Sequence, residues 1–293
     1  TQGVSSAASD VYKRQERNVV MKKSILGVLK WIILLMLAIV MLVPFFWLIS
    51  SSLKDKTQFY SNPPVYFPIP MHFENFVNAW VNIGFFRAIL NSLVFALTFT
   101  IIVVFSSALA AYGFSRFKFP GKKVLFVILL LSMMLPTQIM TIPLFLMFKK
   151  LNMINTILPM LLPYCLGVPY HIFLIRQFMN GIPKEVDEAA KIDGCGTMQI
   201  FFYIIGPMSK PTLIVSALLN FIWAWKDVWY SNIYLGKPER QTISVRLLSL
   251  IGDKSVEYGQ MMAATVMMML PVILLYFCAQ KYFDEGITIT ELK

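Results

Sequence analysis

The sequence predicts an all-α membrane protein with six transmembrane helices. Of its 293 residues, 57% are hydrophobic and 14% are charged, whereas about a quarter of the residues of a soluble protein are charged. A helix needs about 20 apolar residues to cross a bilayer, and its backbone must be hydrogen-bonded within the segment. Six stretches meet this requirement, the fourth interrupted only by His171 and the fifth only by Lys226 and Asp227: residues 31–53, 88–115, 124–148, 151–175, 211–236 and 258–280.

The segment before the first span is excluded from the predicted fold. Residues 10–15 resemble the translation of a sequencing adaptor. We therefore expect residues 1–20 to be non-native or disordered, with the natural start at Met21 and a single transmembrane domain over residues 21–293. The first span is too long for a removable signal peptide and lacks a small-residue cleavage site.

The connections between the spans differ in composition. Residues 54–81 contain closely spaced prolines, which block helix formation and favour an extended connection. Short basic turns follow at residues 116–123 and 149–152, and the largest hydrophilic connection covers residues 177–210. An even number of spans puts both termini on one side of the membrane. Counted from Met21, that side carries thirteen lysines and arginines against nine on the other, which favours cytoplasmic termini.

Prolines recur inside the spans or near their ends. Either they only bend helices whose neighbours satisfy the freed carbonyls, or they act as hinges that let the bundle move. The sequence leaves both interpretations open. These prolines are Pro44, Pro136, Pro143, Pro159, Pro163, Pro169 and Pro271.

The composition argues against several kinds of site. The net charge of +11 is spread over all loops, without the patch that binds nucleic acid, and favours contact with lipid headgroups. Cys165, Cys195 and Cys278 have no ligand spacing, so we expect no metal site and no disulfide. The sequence has no GxxxxGK(S/T) phosphate loop, so the chain is not expected to bind ATP in that manner. We predict that it is not an enzyme and has no cofactor of its own.

Within residues 177–210, a short helix is predicted to end at Gly194. Pro183 suits a first helical turn, and the acidic residues that follow it favour the positive end of the helix dipole. Gly194 can adopt the left-handed conformation that stops a helix. A second helix is predicted from Thr197 to Gly206 and Pro207. On these local signals alone, an ordinary interfacial helix and a docking element fit equally well.

This segment resembles the EAA motif of bacterial ABC-importer permeases, which reads Glu-Ala-Ala, three residues, Gly, nine residues, Ile, one residue, Leu-Pro. The matching residues are Glu188, Ala189, Ala190, Gly194, Ile204 and Pro207. Gly206 stands where the family usually has Leu, and we expect this departure to loosen the end of the second helix.

The resemblance covers nearly all of residues 21–285 and is of the carbohydrate-uptake type, similar to the G subunit of the maltose permease. Lys226 departs from it, because Asn is common there, and residues 287–293 lack the glycine-containing ending often seen. Outside the EAA motif, the resemblance rests on residues 91–93, 111–117, 119–121, 142–144, 155–156, 192–194, 223–225 and 280–283.

The resemblance implies an ABC type I importer permease-like bundle in the bacterial plasma (inner) membrane. It implies a homologous second permease subunit, a cytoplasmic ABC ATPase dimer that binds the ATP, and an extracytoplasmic solute-binding protein. In such a transporter Glu188, Ala189 and Ala190 dock into a cleft of the ATPase, and Asp193 and Gly194 form the turn after them. The chain itself forms half of the path for a sugar or oligosaccharide.

Lys226 and Asp227 are the candidates for a path or gate. Ionisable groups deep in a span usually face a bundle interior or water, and Trp225 beside them could stack on a sugar ring. The alternative is that both residues lie near the outer interface, with Lys226 extended toward the headgroups. Two other functions also stay open. The same architecture could import glycerol phosphate or another polar solute, or the chain could be an ion-gradient secondary transporter.

Overall fold

The structure is a computed structural model. It describes the backbone of residues 3–251 and 257–291 and the side chains of residues 27–251 and 257–281. The long helices are α1 (Gly3–Ser52), α4 (Phe85–Arg116), α12 (Lys210–Trp225) and α15 (Tyr258–Glu291). The shorter helices are α2 (Lys56–Phe59), α3 (Glu74–Asn82), α5 (Lys122–Ser132), α6 (Thr141–Lys150), α7 (Leu158–Leu161), α8 (Pro169–Gly181), α9 (Glu185–Ile192), α10 (Thr197–Ile200), α11 (Gly206–Met208), α13 (Trp229–Tyr234) and α14 (Ile243–Leu248).

The described helices supply three to six membrane spans. Gly27–Ser52 of α1, α4, and Tyr258–Lys281 of α15 are each long and apolar enough to cross a membrane. Six spans result if each of three bent helix pairs counts as one, in agreement with the predicted number. These pairs are Lys122–Ser132 with Thr137–Lys150, bent by 85°, Leu158–Tyr164 with Pro169–Gly181, bent by 42°, and Thr197–Met208 with Lys210–Trp225, bent by 79°.

Two of the bends lie at prolines named in the sequence analysis, and the third lies between Pro207 and Pro211. Pro136 precedes a 3-10 turn over Thr137–Met140, and Pro169 starts α8 after the break that follows Tyr164. Proline lacks the amide hydrogen that would continue the helix ladder. Pro136 and Pro169 therefore lie at bends, as one of the two interpretations holds, whereas Pro44 and Pro271 lie inside the continuous helices α1 and α15. Hinge motion stays a prediction.

Helix α4 lies at the centre of the bundle and packs against α8 and α12. Its buried side chains recur every three or four residues, as expected for one face of a helix. Many of them are small or aromatic, which allows close packing where lipid provides no hydrophobic driving force between helices. The buried residues of this face include Ser92, Phe95, Ala96, Phe99, Val103, Ser107, Ala108, Ala111, Tyr112 and Ser115.

The predicted extended connection over residues 54–81 is wrong in its second half. Helix α3 covers Glu74–Asn82 and packs on α15. Its buried Ala79 and half-buried Asn75 and Phe76 lie on one side, so tertiary packing outweighs the local proline signal. At the start of the connection, the Gln58 backbone N–H donates to Asp55 Oδ1 over 2.7 Å, which lowers the pKa of that carboxyl.

The first helix extends over the segment that we excluded from the fold. The backbone of residues 3–20 belongs to α1, while the side chains of residues 1–26 lie outside the described part. The expectation that residues 1–20 are non-native or disordered stays a prediction.

Candidate functional site

The predicted helix before Gly194 is present as α9. It contains the residues Glu185–Ile192, with three acidic residues in its first turn and Lys191 in its last. This charge order complements the helix dipole at both ends. The run from Thr197 to Met208 that follows is also helical, as predicted.

Helix α9 ends in a left-handed turn at Gly194, whose φ is +83°. The Gly194 N–H donates to the Lys191 carbonyl over 3.0 Å, and the Cys195 N–H donates to the Ala190 carbonyl over 2.9 Å. This pair of bonds is the Schellman motif, which satisfies the last carbonyls of a helix. Asp193, as the C-cap residue, donates its own amide to the Ala189 carbonyl over 3.0 Å. The turn expected of Asp193 and Gly194 is therefore present.

The EAA residues point to two different sides of α9. Glu188 and Ala189 are exposed, whereas Ala190 is buried. Ile192, one turn after Glu188, is 87% exposed and lies on the same face. Its apolar side chain therefore lies beside Glu188 on the exposed surface of α9. The sequence does indicate this position, because Ile192 comes four residues after Glu188 and residues four apart share a helix face. Our prediction of the docking residues did not include it.

The buried side of α9 contacts the end of α4. Asp187 Oδ2 lies 3.0 Å from Arg116 Nε, and the two side chains are 11% and 6% exposed. Arg116 Nη2 also donates to the Ile182 carbonyl over 3.2 Å. Ala190 packs beside them in an apolar cluster with Ala111 and other residues of α4 and α8. The sequence did not predict this pairing.

The segment after α9 contains a π-helical turn over Phe201–Ile205. It ends at Gly206, where an added Cβ would lie 2.8 Å from the Phe201 carbonyl oxygen. The wider turn thus leaves no room for the leucine that the family usually carries there. Gly206 accommodates this π turn, an element often found at functional sites. The expectation that Gly206 loosens the helix end stays a prediction.

The three candidate path residues do not form one cluster. Trp225 is 2% exposed, and its ring N–H donates to the Met268 carbonyl of α15 over 3.2 Å. Lys226 is exposed and forms no ion pair with any residue that the structure describes. Asp227 is 9% exposed and accepts hydrogen bonds from the Ser231 N–H over 2.8 Å and the Ser231 hydroxyl over 2.9 Å. Their assignment to a path or gate stays a prediction.

Replacing Asp227 with alanine is expected to destabilise the protein, while Lys226→Ala leaves its stability unchanged. Asp227 caps the first turn of α13, and losing a cap costs about 0.5–2 kcal/mol. We expect the midpoint of thermal unfolding in detergent to fall by about 1–8 °C for Asp227→Ala. Equal midpoints for both variants and the unchanged protein would contradict the capping role. Uptake measured per folded molecule then tests the path assignment separately.

Residues 102–289 match the family model described as the binding-protein-dependent transport system inner membrane component. The chain belongs to this family. The matched range includes the whole of the connection over residues 177–210, so the EAA resemblance lies inside the family match. The permease is thus an inner-membrane transport component and not an enzyme.

Curated relatives cover most of the permease. It is 33% identical over 264 residues to the probable ABC transporter permease protein YurM of Bacillus subtilis, a match that covers 90% of this chain and 87% of that protein. It is 34% identical over 254 residues to the probable ABC transporter permease protein PH1036 of Pyrococcus horikoshii, covering 85% and 92%. It is 31% identical over 268 residues to the arabinooligosaccharides transport system permease protein AraQ of Bacillus subtilis, covering 88% and 93%.

A solved structure supports the fold of the permease. A chain from a bacterial ABC transporter involved in the import of the acidic polysaccharide alginate superposes with a TM-score of 0.74 and is 24% identical. The match covers 88% of this permease and 96% of that chain. At this identity the likeness shows the fold alone, and it confirms the predicted importer-permease architecture.

Proposed function

We propose that the permease forms half of the path of an ATP-driven importer for a sugar or oligosaccharide and docks to its ATPase through α9. The observation that carries the proposal is the construction of α9. The helix exposes Glu188, Ala189 and Ile192 and ends at a left-handed glycine. Its other side is held to the bundle by Asp187 and Ala190. A helix exposed on one face and anchored on the other can pass a displacement from a partner to the spans.

The proposed partners follow from the family. A second, homologous permease would complete the path, two ABC ATPase subunits would bind the ATP, and an extracytoplasmic solute-binding protein would deliver the solute. The description of the matched family as binding-protein-dependent supports the last of these. The chain's own contribution is an equilibrium between inward-open and outward-open states, biased by partners on both sides.

The proposed orientation puts both termini and α9 in the cytoplasm. The excess of lysine and arginine on that side supports it. Docking to a cytoplasmic ATPase requires the same orientation, because α9 lies in one of the connections on the side of the termini.

A carbohydrate substrate is supported by the curated relatives. They include permeases for arabinooligosaccharides, for diacetylchitobiose, and for melibiose, raffinose and stachyose. Another polar solute remains the second candidate, since an osmoprotective compounds uptake permease of Synechocystis is 30% identical over 212 residues. An ion-gradient transporter is the least supported, because of the family match.

Uptake by the complete transporter in proteoliposomes tests this proposal. The transporter should take up a labelled sugar or oligosaccharide from a panel only when ATP reaches its ATPase and the solute-binding protein is supplied. Ionophores that collapse proton and sodium gradients should leave the rate unchanged. Uptake that stops with the ionophores and persists without ATP would overturn the proposal, and uptake of glycerol phosphate alone would favour the second candidate.

A further inference from the structure

We propose that Arg116 and Asp187 are positioning residues that lock α9 to the end of α4, so that a displacement of α9 moves α4 with it. The inference rests on the proposed docking of an ATPase to α9. It names the side chains of this permease through which that displacement would enter the bundle.

The first observation is the buried ion pair. Arg116 Nε and Asp187 Oδ2 are 3.0 Å apart, with side chains 6% and 11% exposed. They lie at contact distance but without the alignment of a hydrogen bond. Removing one partner of a buried pair leaves an uncompensated charge, so the two resist separation. Where a buried polar or ionic group is kept for structural specificity, fixing the register of two elements is its best-attested role, and we assign that role to this pair.

The second observation is that Arg116 holds the docking segment at two points. Besides Asp187 in the first turn of α9, it binds the carbonyl of Ile182, which precedes the helix. The guanidinium presents several donors in a rigid plane, so both points are fixed relative to each other. Helix α9 therefore cannot shift along its axis without moving Arg116 or breaking one of these contacts.

The third observation is a further contact from the same face of α4. Tyr112 lies one turn before Arg116, and residues four apart share a helix face. Its hydroxyl donates to the Thr197 carbonyl at the start of α10 over 3.1 Å. Its ring centroid lies 5.1 Å from that of Phe201 in the π turn. Residue 116 thus contacts the start of α9, and residue 112 contacts the segment that follows the turn at Gly194.

The far end of α4 shows where such a displacement would arrive. The helix contains 32 residues, or about 48 Å at 1.5 Å per residue. Near its start, Asn91 Nδ2 donates to the Glu239 and Gln241 carbonyls over 3.0 Å each, and Ser92 Oγ accepts from the Ile243 N–H over 2.8 Å. A rigid shift of α4 therefore acts on the connection between α13 and α14 at the opposite end of the bundle.

The test is the amount of solute taken up per ATP hydrolysed by the complete transporter in proteoliposomes. Asp187→Asn and Arg116→Gln should still insert and retain the ATPase on affinity purification, because Glu188, Ala189 and Ile192 are unchanged. Hydrolysis should continue while solute uptake per ATP falls at least tenfold. A pair that only stabilised the fold would lower the amount of transporter but not this ratio. Arg87→Gln removes an exposed arginine from the other end of α4 and is the matched control, with the ratio unchanged.

Two further variants make the result decisive. The reversed pair, Arg116→Asp with Asp187→Arg, should recover part of the lost ratio. If Asp187→Asn does not insert, Asp187→Glu takes its place, since it keeps the charge but lengthens the side chain, and it should lower the ratio at least threefold. The inference would be overturned if a single variant that inserts takes up as much solute per ATP as the unchanged permease. It would also be overturned if the reversed pair recovers none of the lost uptake per ATP.

The outcomes also separate this inference from the proposed function. If the unchanged permease binds no ATPase, or its uptake does not need ATP, the proposed function fails. If the unchanged permease couples uptake to hydrolysis and the single variants do so equally well, only the role of Arg116 and Asp187 fails.

Discussion

Glu188→Lys is expected to reduce solute uptake at least thirtyfold while the permease stays folded in the membrane. Glu188 is exposed on α9, so no described packing is lost. The new charge at the start of the helix opposes its dipole by only about 0.3–1 kcal/mol. Disrupting a charge pair buried in a protein interface costs 2–5 kcal/mol or more, and about 1.4 kcal/mol corresponds to tenfold in an equilibrium.

The measurements for Glu188 are uptake, the amount of permease in the membrane, and the ATPase retained on purification. Glu188→Gln keeps the shape of the side chain and loses only its charge, so it should retain more uptake than Glu188→Lys. Both variants should elute from size exclusion as the unchanged permease does. Normal uptake by Glu188→Lys, with the ATPase still bound, would remove Glu188 from the docking surface.

Gly194→Val is expected to abolish uptake, whereas Gly194→Asn should retain most of it. A Cβ at this position would have no atom within 4 Å, so the obstacle is the backbone conformation rather than space. With a φ of +83°, an ordinary residue costs roughly 1–2 kcal/mol, and a β-branched residue is a true outlier there. Asparagine is among the residues that tolerate the left-handed region. Valine should therefore displace the end of α9 and the segment that follows it.

Uptake and ATPase binding by the two Gly194 variants distinguish an effect of the backbone conformation from an effect of side-chain size. If Asn and Val lose uptake equally, the surface at residue 194 is tightly covered by a partner and side-chain size decides. If both variants transport normally, the turn at Gly194 is not needed for coupling, which would contradict its assigned role.

The sequence predicted the elements whose causes are local. Uncharged stretches longer than a bilayer crossing indicated the spans, and the acidic first turn with Gly194 indicated where α9 begins and ends. Proline positions indicated the breaks in two spans but not the angles of 85° and 42°, which depend on what each half packs against.

The missed features are contacts between distant segments. Arg116 belongs to a basic turn and Asp187 to an acidic helix, and no local sequence pattern indicates that the two side chains are in contact. Helix α3 was missed because the nearby prolines favour extended chain, while its packing on α15 favours helix. Lys226 and Asp227 are neighbours that we assigned together to a path or gate, yet one is exposed and the other caps α13. The two side chains differ in exposure because α12 ends at Trp225, so Lys226 and Asp227 lie beyond the helix.

Cross-linking from residue 189 tests the central claim most directly. Ala189 is exposed on α9, so a cysteine there, with Cys165, Cys195 and Cys278 replaced, should be captured by a short bifunctional reagent to an ATPase subunit in the assembled transporter. Ile69→Cys, 83% exposed in the connection between α2 and α3, should give no such product. Capture of the ATPase from residue 189 and not from residue 69 is the result we predict. Absence of any ATPase product from residue 189, in a preparation that still transports, would contradict the docking of α9.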